Sequence, residues 1–256
     1  MKRIPTLFLS TIALCLFGCS SDSDSNNGLA NAEPQGLCEN APGLTGIYWE
    51  FANSIPAPLS QVPTVNNPGG QFVHSLHPLI GFVYPQGFSA FELTDTQTGT
   101  LGVNLVRNDN AVVFRWIPNT QLQGQVAARS IIANEINGVF AHYGFNGTPN
   151  VLCISSANNS FEGIPSQFEA RLLRFNGITA QVWVRSTYLA GGTFSAISVT
   201  SAPSNEYNDQ VMDTFLPINF QLFVGRDGTF VDNDNDGVPA NEDPDDNNPN
   251  VPNNQG

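Results

Sequence analysis

Turn signals punctuate this chain at intervals too short for long helices, and that spacing constrains the fold more than any other feature. Asn-Gly pairs flanked by alternating apolar residues are strong hairpin signals, because both central residues of a type I′ turn need φ > 0. Asn137-Gly138 separates 126–136 from 139–145, Asn146-Gly147 leads into 151–155, and Asn176-Gly177 joins 168–175 to 178–188. In that last run Ile178, Ala180, Val182 and Val184 alternate with Thr179, Gln181, Trp183 and Arg185, the period of a strand with two distinct faces. Gly191-Gly192 turns it into 193–201, and Asn108-Asp109-Asn110 separates 101–107 from 111–117. Further strands are expected at 45–52, 71–75, 79–84, 88–94 and 215–224. Pro56, Pro58, Pro63 and Pro68 mark a long loop after the first of these. No window shows a sustained helical period with caps. The pattern predicts an all-β domain, an antiparallel, meander-rich sandwich or barrel.

The ends of the chain differ from this middle. Met1-Lys2-Arg3 is followed by an apolar stretch over 4–17. That is short of the ~20 residues a transmembrane helix needs and has the size and flanks of an export signal. It closes on Leu16-Phe17-Gly18-Cys19, which resembles the lipobox of bacterial lipoproteins. The resemblance implies cleavage after Gly18 and acylation of Cys19 by diacylglyceryl and palmitate-class chains. Ser20 resembles the outer-membrane sorting class. The implied partner is the lipid bilayer, and the implied location is the outer membrane, facing the periplasm or the cell surface. Residues 20–35 are mostly polar or small, so they cannot bury enough apolar surface to fold and read as a disordered tether. The expected organisation is a signal peptide at 1–18, a tether at 19–37, a β domain at 38–226 and an acidic tail at 227–256.

Loss of Lys2 and Arg3 with the signal takes the formal charge from −13 to −15 and leaves seven Arg and no Lys. Lysine-based covalent chemistry is thereby excluded from the mature chain, and the negative charge excludes electrostatic binding of nucleic acid. Eight of the 22 acids lie between Asp227 and Asp246, whereas the middle, 40–226, holds ten acids against seven Arg. Of the four Cys, Cys15 leaves with the signal and Cys19 is assigned to acylation. Cys38 and Cys153 then form a pair in an oxidising compartment, and a disulfide is expected. Closing a loop of that length is worth up to about 4.7 kcal/mol in the chain-entropy model.

The motif most suggestive of chemistry runs Asp232-Asn233-Asp234-Asn235-Asp236-Gly237-Val238 to Asp243. Oxygens at alternate residues converge on one hard cation, and the Gly permits the sharp turn. With Pro239 and Pro244 in place of a following helix, the segment resembles thrombospondin type 3 repeats. That resemblance implies calcium held by the Asp232, Asp234, Asp236 and Asp243 carboxylates and the Val238 carbonyl, with an affinity on the order of 10⁻⁴–10⁻³ M. His74, His77 and His142 are candidates for a metal site. However, extended backbone sends His74 and His77 to different faces, which favours hydrogen-bonded or surface His. Glu50, Glu92, Glu162 and Glu169 are candidates for a carboxylate pair. Trp49, Trp116 and Trp183 could stack on sugars, although aromatics on strands usually belong to the core.

These features predict an outer-membrane-anchored lipoprotein whose non-enzymatic β domain binds a glycan or envelope protein outside the cytoplasm, with a weak calcium-binding tail. The alternatives are a surface-tethered polysaccharide hydrolase or lyase and a structural accessory of an envelope assembly.

Overall fold

The computed structural model describes residues 38–53, 63–161 and 163–223. The expected signal, Cys19, the tether to Leu37, and the calcium ligands Asp232, Asp234, Asp236, Val238 and Asp243 lie outside the described residues.

The all-β expectation is corrected: the fold is mixed α/β, built on open sheets. The first helix, α1 (Leu44–Ala52), is followed by β1 (Pro68–His74), β2 (His77–Pro85), β3 (Phe88–Asp95), β4 (Thr100–Arg107) and β5 (Val113–Gln123). Next come α2 (Ala128–His142), β6 (Asn150–Phe161), β7 (Ile164–Phe175), β8 (Ile178–Leu189) and β9 (Gly192–Pro203). The described chain ends in α3 (Tyr207–Gln210), a π-helical turn (Val211–Phe215) and α4 (Leu216–Phe223). Strands β3 to β9 form a seven-stranded antiparallel sheet in the order β3-β4-β5-β9-β8-β7-β6, and β1 pairs with β2 as a separate hairpin.

Alternation along the strands gives the large sheet two apolar faces. On one, α2 buries Ala128, Ile131, Ile132 and Val139 against Val182, Val184, Ile197 and Val199. On the other, Tyr48 of α1, Phe72 and Phe82 of the hairpin, and Tyr207, Val211, Phe215 and Ile218 of the C-terminal helices pack on Val103, Leu105, Phe114 and Ala202. Trp49 seats separately on Ala157, Phe168, Ala170 and Leu172.

Four predicted strand segments, 45–52, 126–136, 139–145 and 215–224, are helical instead. Residues 128, 131, 132, 136, 139 and 140 of α2 are apolar at helical spacing, and tertiary burial of that stripe overrides the β propensity of its Ile and Val. Neither Asn137 nor Gly138 takes positive φ, so the pair sits inside the helix rather than in a turn. The helix ends instead at Gly144, with φ 64°. The Gly144 N–H donates to Ala141 O at 3.2 Å and the Phe145 N–H to Phe140 O at 2.8 Å, a Schellman motif sealed by the Phe140 and Phe145 rings 5.1 Å apart. In α1, a Cβ on Gly46 would collide with Ala41 O, so Gly there admits a close backbone approach. In the C-terminal segment, Pro217 has no N–H for the carbonyl four residues back, and the helix accommodates it with the π-helical turn just before. Gln221 then caps the hairpin edge: its Oε1 accepts from the Val83 N–H at 2.8 Å and its Nε2 donates to Val83 O at 3.0 Å.

The expected Asn176-Gly177 turn is present, with φ of 43° and 76°. The disulfide between Cys38 and Cys153 is also present. It fixes the segment before α1 to β6, where Asn40 Nδ2 also donates to Leu152 O at 3.1 Å.

The two Asn-Gly pairs separate helix from turn in one experiment. Gly138 is exposed mid-helix with open space around its Cβ position, so Gly138→Ala should stabilise the protein by about 0.5–1 kcal/mol in denaturant titration. Gly177→Ala, at positive φ, should destabilise it. Cys38→Ser/Cys153→Ser should cost about 2–5 kcal/mol in the same assay.

Candidate functional site

Register places one continuous row of side chains across the face that carries α1 and the hairpin. Glu92, Val103, Trp116, Ser198, Trp183, Ala170 and Ser155 follow one another from β3 to β6. In the adjacent row Ala196, Arg185, Phe168 and Ala157 lie side by side. The two rows bring together an aromatic and cationic cluster. Trp116 and Trp183 meet edge to face with centroids 5.4 Å apart. Phe168 lies 6.2 Å from Trp183, and the Arg185 guanidinium sits 5.9 Å from the Phe168 centroid, within cation–π range. Trp116 and Phe168 are buried, whereas Trp183 and Arg185 are half-buried, so the latter two form the accessible part. Along β8, Gln181 is buried, with Nε2 on Tyr48 O at 3.4 Å and Oε1 unpaired among the described residues.

The other candidate residues are held by structural contacts. His74 is fully buried at the end of β1. Its Nδ1 lies 3.2 Å from the Leu76 N and its Nε2 lies 3.2 Å from Leu93 O. His77 pairs with it across the hairpin, and His142 ends α2 on the opposite face, 2.8 Å from Asn110 O. The three therefore do not converge, and no group of three metal-ligating side chains occurs among the described residues.

The carboxylates are also dispersed. Glu92 lies on β3 on the hairpin side, where it accepts the Ser75 N–H at 2.7 Å, the Ser75 hydroxyl at 2.5 Å and the Thr94 hydroxyl at 3.0 Å. The Ser75 hydroxyl, then its N–H, hold this carboxyl below the usual range. Glu169 lies on β7 on the α2 side, paired with Arg171 at 2.6 Å and Arg129 at 3.6 Å. They lie on opposite faces with four strands between them, so they form no catalytic pair. Glu50 is on α1, and Glu162 lies outside the described residues. Of the Trp, Trp49 is fully buried and packs on Phe168 and Leu172.

Two buried phenols line the same face. Tyr48 Oη accepts from Asn219 Nδ2 at 2.8 Å, and Tyr207 Oη lies 3.1 Å from Thr200 Oγ1. Burial pushes both phenols far above their ordinary range, so they remain neutral core groups.

No family model matches the chain, and a search of curated proteins finds no match. Among solved structures, the chain is similar to cyanobacterial PsbP (CyanoP) from Synechocystis sp. PCC 6803, with TM-score 0.31 and 10% identity over 61% of this chain and 97% of that one. It is also similar to LpqN, involved in cell envelope biogenesis of Mycobacterium tuberculosis, with TM-score 0.28 and 13% identity over 58% of this chain and 83% of that one. A third structure, from Bacteroides thetaiotaomicron VPI-5482, has TM-score 0.21 and 12% identity over 58% of this chain and 47% of that one. These likenesses carry no functional argument.

The lipoprotein and calcium-repeat resemblances are corrected accordingly. No family model supports either one, and the disulfide makes Cys38 unavailable for acylation. Cys19 and the tail acids lie outside the described residues. The lipid anchor, the bilayer as partner and the outer-membrane assignment are therefore withdrawn, and palmitate and calcium are not carried forward. What the bond does indicate is folding in an oxidising compartment.

Glu92 supplies a pH test of the hairpin's docking. Its folded pKa is depressed, so its stabilisation is present above the unfolded pKa and lost as pH falls through the folded one. Wild type should exceed Glu92→Gln in stability at neutral pH, with the gap closing in acid. A gap unchanged between neutral and acidic denaturation curves would rule out this linkage.

Proposed function

We propose that this is a non-enzymatic, extracytoplasmic accessory domain that binds a ligand over Trp183 and Arg185 of β8. The observation that carries this reading is the Arg185 guanidinium over Phe168, next to the Trp116–Trp183 pair. An indole beside a fixed cation suits a ligand that joins a flat or pyranose-like apolar face to a carboxylate, as in an acidic glycan. The disulfide supports the extracytoplasmic part. The structural engagement of His74, Glu92 and Glu169 supports the non-enzymatic part.

Titration with uronic-acid oligosaccharides, read by Trp fluorescence, tests it. Wild type should show saturable quenching, and Arg185→Ala should weaken binding by about 10- to 100-fold, the loss expected for one charged hydrogen bond. Neutral oligosaccharides should bind more weakly than acidic ones. Equal affinity of Arg185→Ala and wild type, or release of new reducing ends on incubation, would overturn the proposal.

A further inference from the structure

The Asn-Gly pairs within the described residues share one sequence but not one conformation. Asn137-Gly138, Asn146-Gly147 and Asn176-Gly177 are all exposed, so access of water does not distinguish them. Asn137 and Gly138 lie inside α2. Asn176 and Gly177 form the β7–β8 turn, with φ of 43° and 76°. That turn is closed by the Phe175–Ile178 pair and by the Ser204 N–H, which donates to Gly177 O at 2.7 Å. Asn146 and Gly147 belong to neither a helix nor a strand and lie in the connection from α2 to β6. Among the described residues, neither the Asn146 side chain nor the Gly147 N–H is hydrogen-bonded.

We propose that Asn146 is a site of spontaneous modification, converting to aspartate and isoaspartate through a cyclic imide with Gly147, while the fold protects Asn137 and Asn176. The Gly147 backbone nitrogen, deprotonated by hydroxide, attacks Asn146 Cγ. The N–Cγ bond forms, the Cγ–Nδ2 bond breaks, and the amide nitrogen leaves as ammonia with a proton taken from water. Water then opens the imide. Cleavage of the N–Cγ bond gives aspartate, and cleavage of the bond from that nitrogen to the Asn146 main-chain carbonyl carbon gives isoaspartate. One water is consumed and one ammonia released, with no change of oxidation state.

Ring closure requires the nitrogen to approach Cγ, which fixes the torsion about the Asn Cα–C bond. In α2 that torsion is helical, and the Gly138 N–H points along the axis toward the carbonyl four residues back. In the β7–β8 turn both residues are held in the left-handed region. Neither conformation allows the approach, and a reacting atom misplaced by about 1 Å loses about 100-fold in rate. At 147 packing itself calls for the reactive neighbour. A Cβ there would lie 2.8 Å from Phe145 Cζ, and the Phe145 ring is committed to Phe140 and Phe175, with centroids 5.1 and 4.9 Å away. Glycine, which least hinders attack by its own nitrogen, is the residue this contact admits. Isoaspartate lengthens the main chain by one methylene beside those three rings and adds a negative charge, so conversion loosens the end of α2.

Incubation of the folded full chain in warm, mildly alkaline buffer made with heavy-oxygen water, followed by peptide mapping, tests the proposal. The Asn146 peptide should take up heavy oxygen and resolve into aspartate and isoaspartate forms about 100-fold faster than the Asn137 and Asn176 peptides. In denaturant the three should convert at similar rates. Asn27-Gly28, outside the described residues, is read on its own peptide. Asn146→Gln, whose longer side chain disfavours the ring, should keep its melting temperature on ageing, whereas aged wild type should melt lower than fresh. An Asn146 peptide that stays unmodified, conversion at Asn137 or Asn176 as fast as at Asn146 in the folded chain, or a rate order unchanged by denaturant would each overturn the site. Aged wild type converted at Asn146 yet melting as before would overturn the loosening of α2.

Discussion

The structure depends on the burial of β8 and β9 from both sides. On β8, Ala180, Val182 and Val184 are buried toward α2, while Thr179 and Gln181 are buried toward the other layer. On β9, Ile197 and Val199 face α2, and Ser198, Thr200 and Ala202 face the opposite side. Strands covered on both sides need a layer over each, and a single helix such as α2 can shield only one. The hairpin, α1 and the C-terminal helices therefore gather on the remaining face. Their mutual contacts, such as Gln221 on Val83 and Asn219 on Tyr48, hold that second layer together. A flat two-sheet sandwich would leave α2's stripe of Ile131, Ile132 and Val139 with nothing to bury against.

The strands were legible because period 2 and turn chemistry agree there. At Asn176-Gly177 the flanking alternation and the positive φ coincide, so local and tertiary preferences point the same way. At Asn137-Gly138 they conflict. The dipeptide and the β-branched Ile131, Ile132 and Val139 suggest a hairpin, yet the i, i+3, i+4 spacing of the same apolar residues fits a helix laid on a sheet. Which of these governs depends on a surface formed by β8 and β9, residues that follow in the chain, so local windows could not decide it. The helical fate of 216–223 was hidden for a related reason: Pro217 reads as a breaker, and the π-helical turn that accommodates it leaves no sequence signature.

The site was legible in part. Alternation along 178–188 places Gln181, Trp183 and Arg185 on one face without any structure. What it cannot supply is the partner strand, and the cation over Phe168 arises only from the β7–β8 register. The roles of the histidines and acids were not readable in the sequence. Ser75 donates twice to Glu92 across 17 positions, a contact fixed by how the hairpin folds over β3.

Charge placement connects these points. After Lys2 the chain has no lysine, the residue most often used to guard strand edges. Its arginines serve instead as tertiary fasteners. Arg107 bridges Asp109 and Glu206, Arg115 meets Glu135 of α2, and Arg129 and Arg171 hold the buried Glu169. A buried carboxylate held by two guanidiniums costs less desolvation than an unpaired one and fixes α2 against β7. Among the described residues, the hairpin shields β3, and the segment at Cys38–Asn40 lies along the first residues of β6.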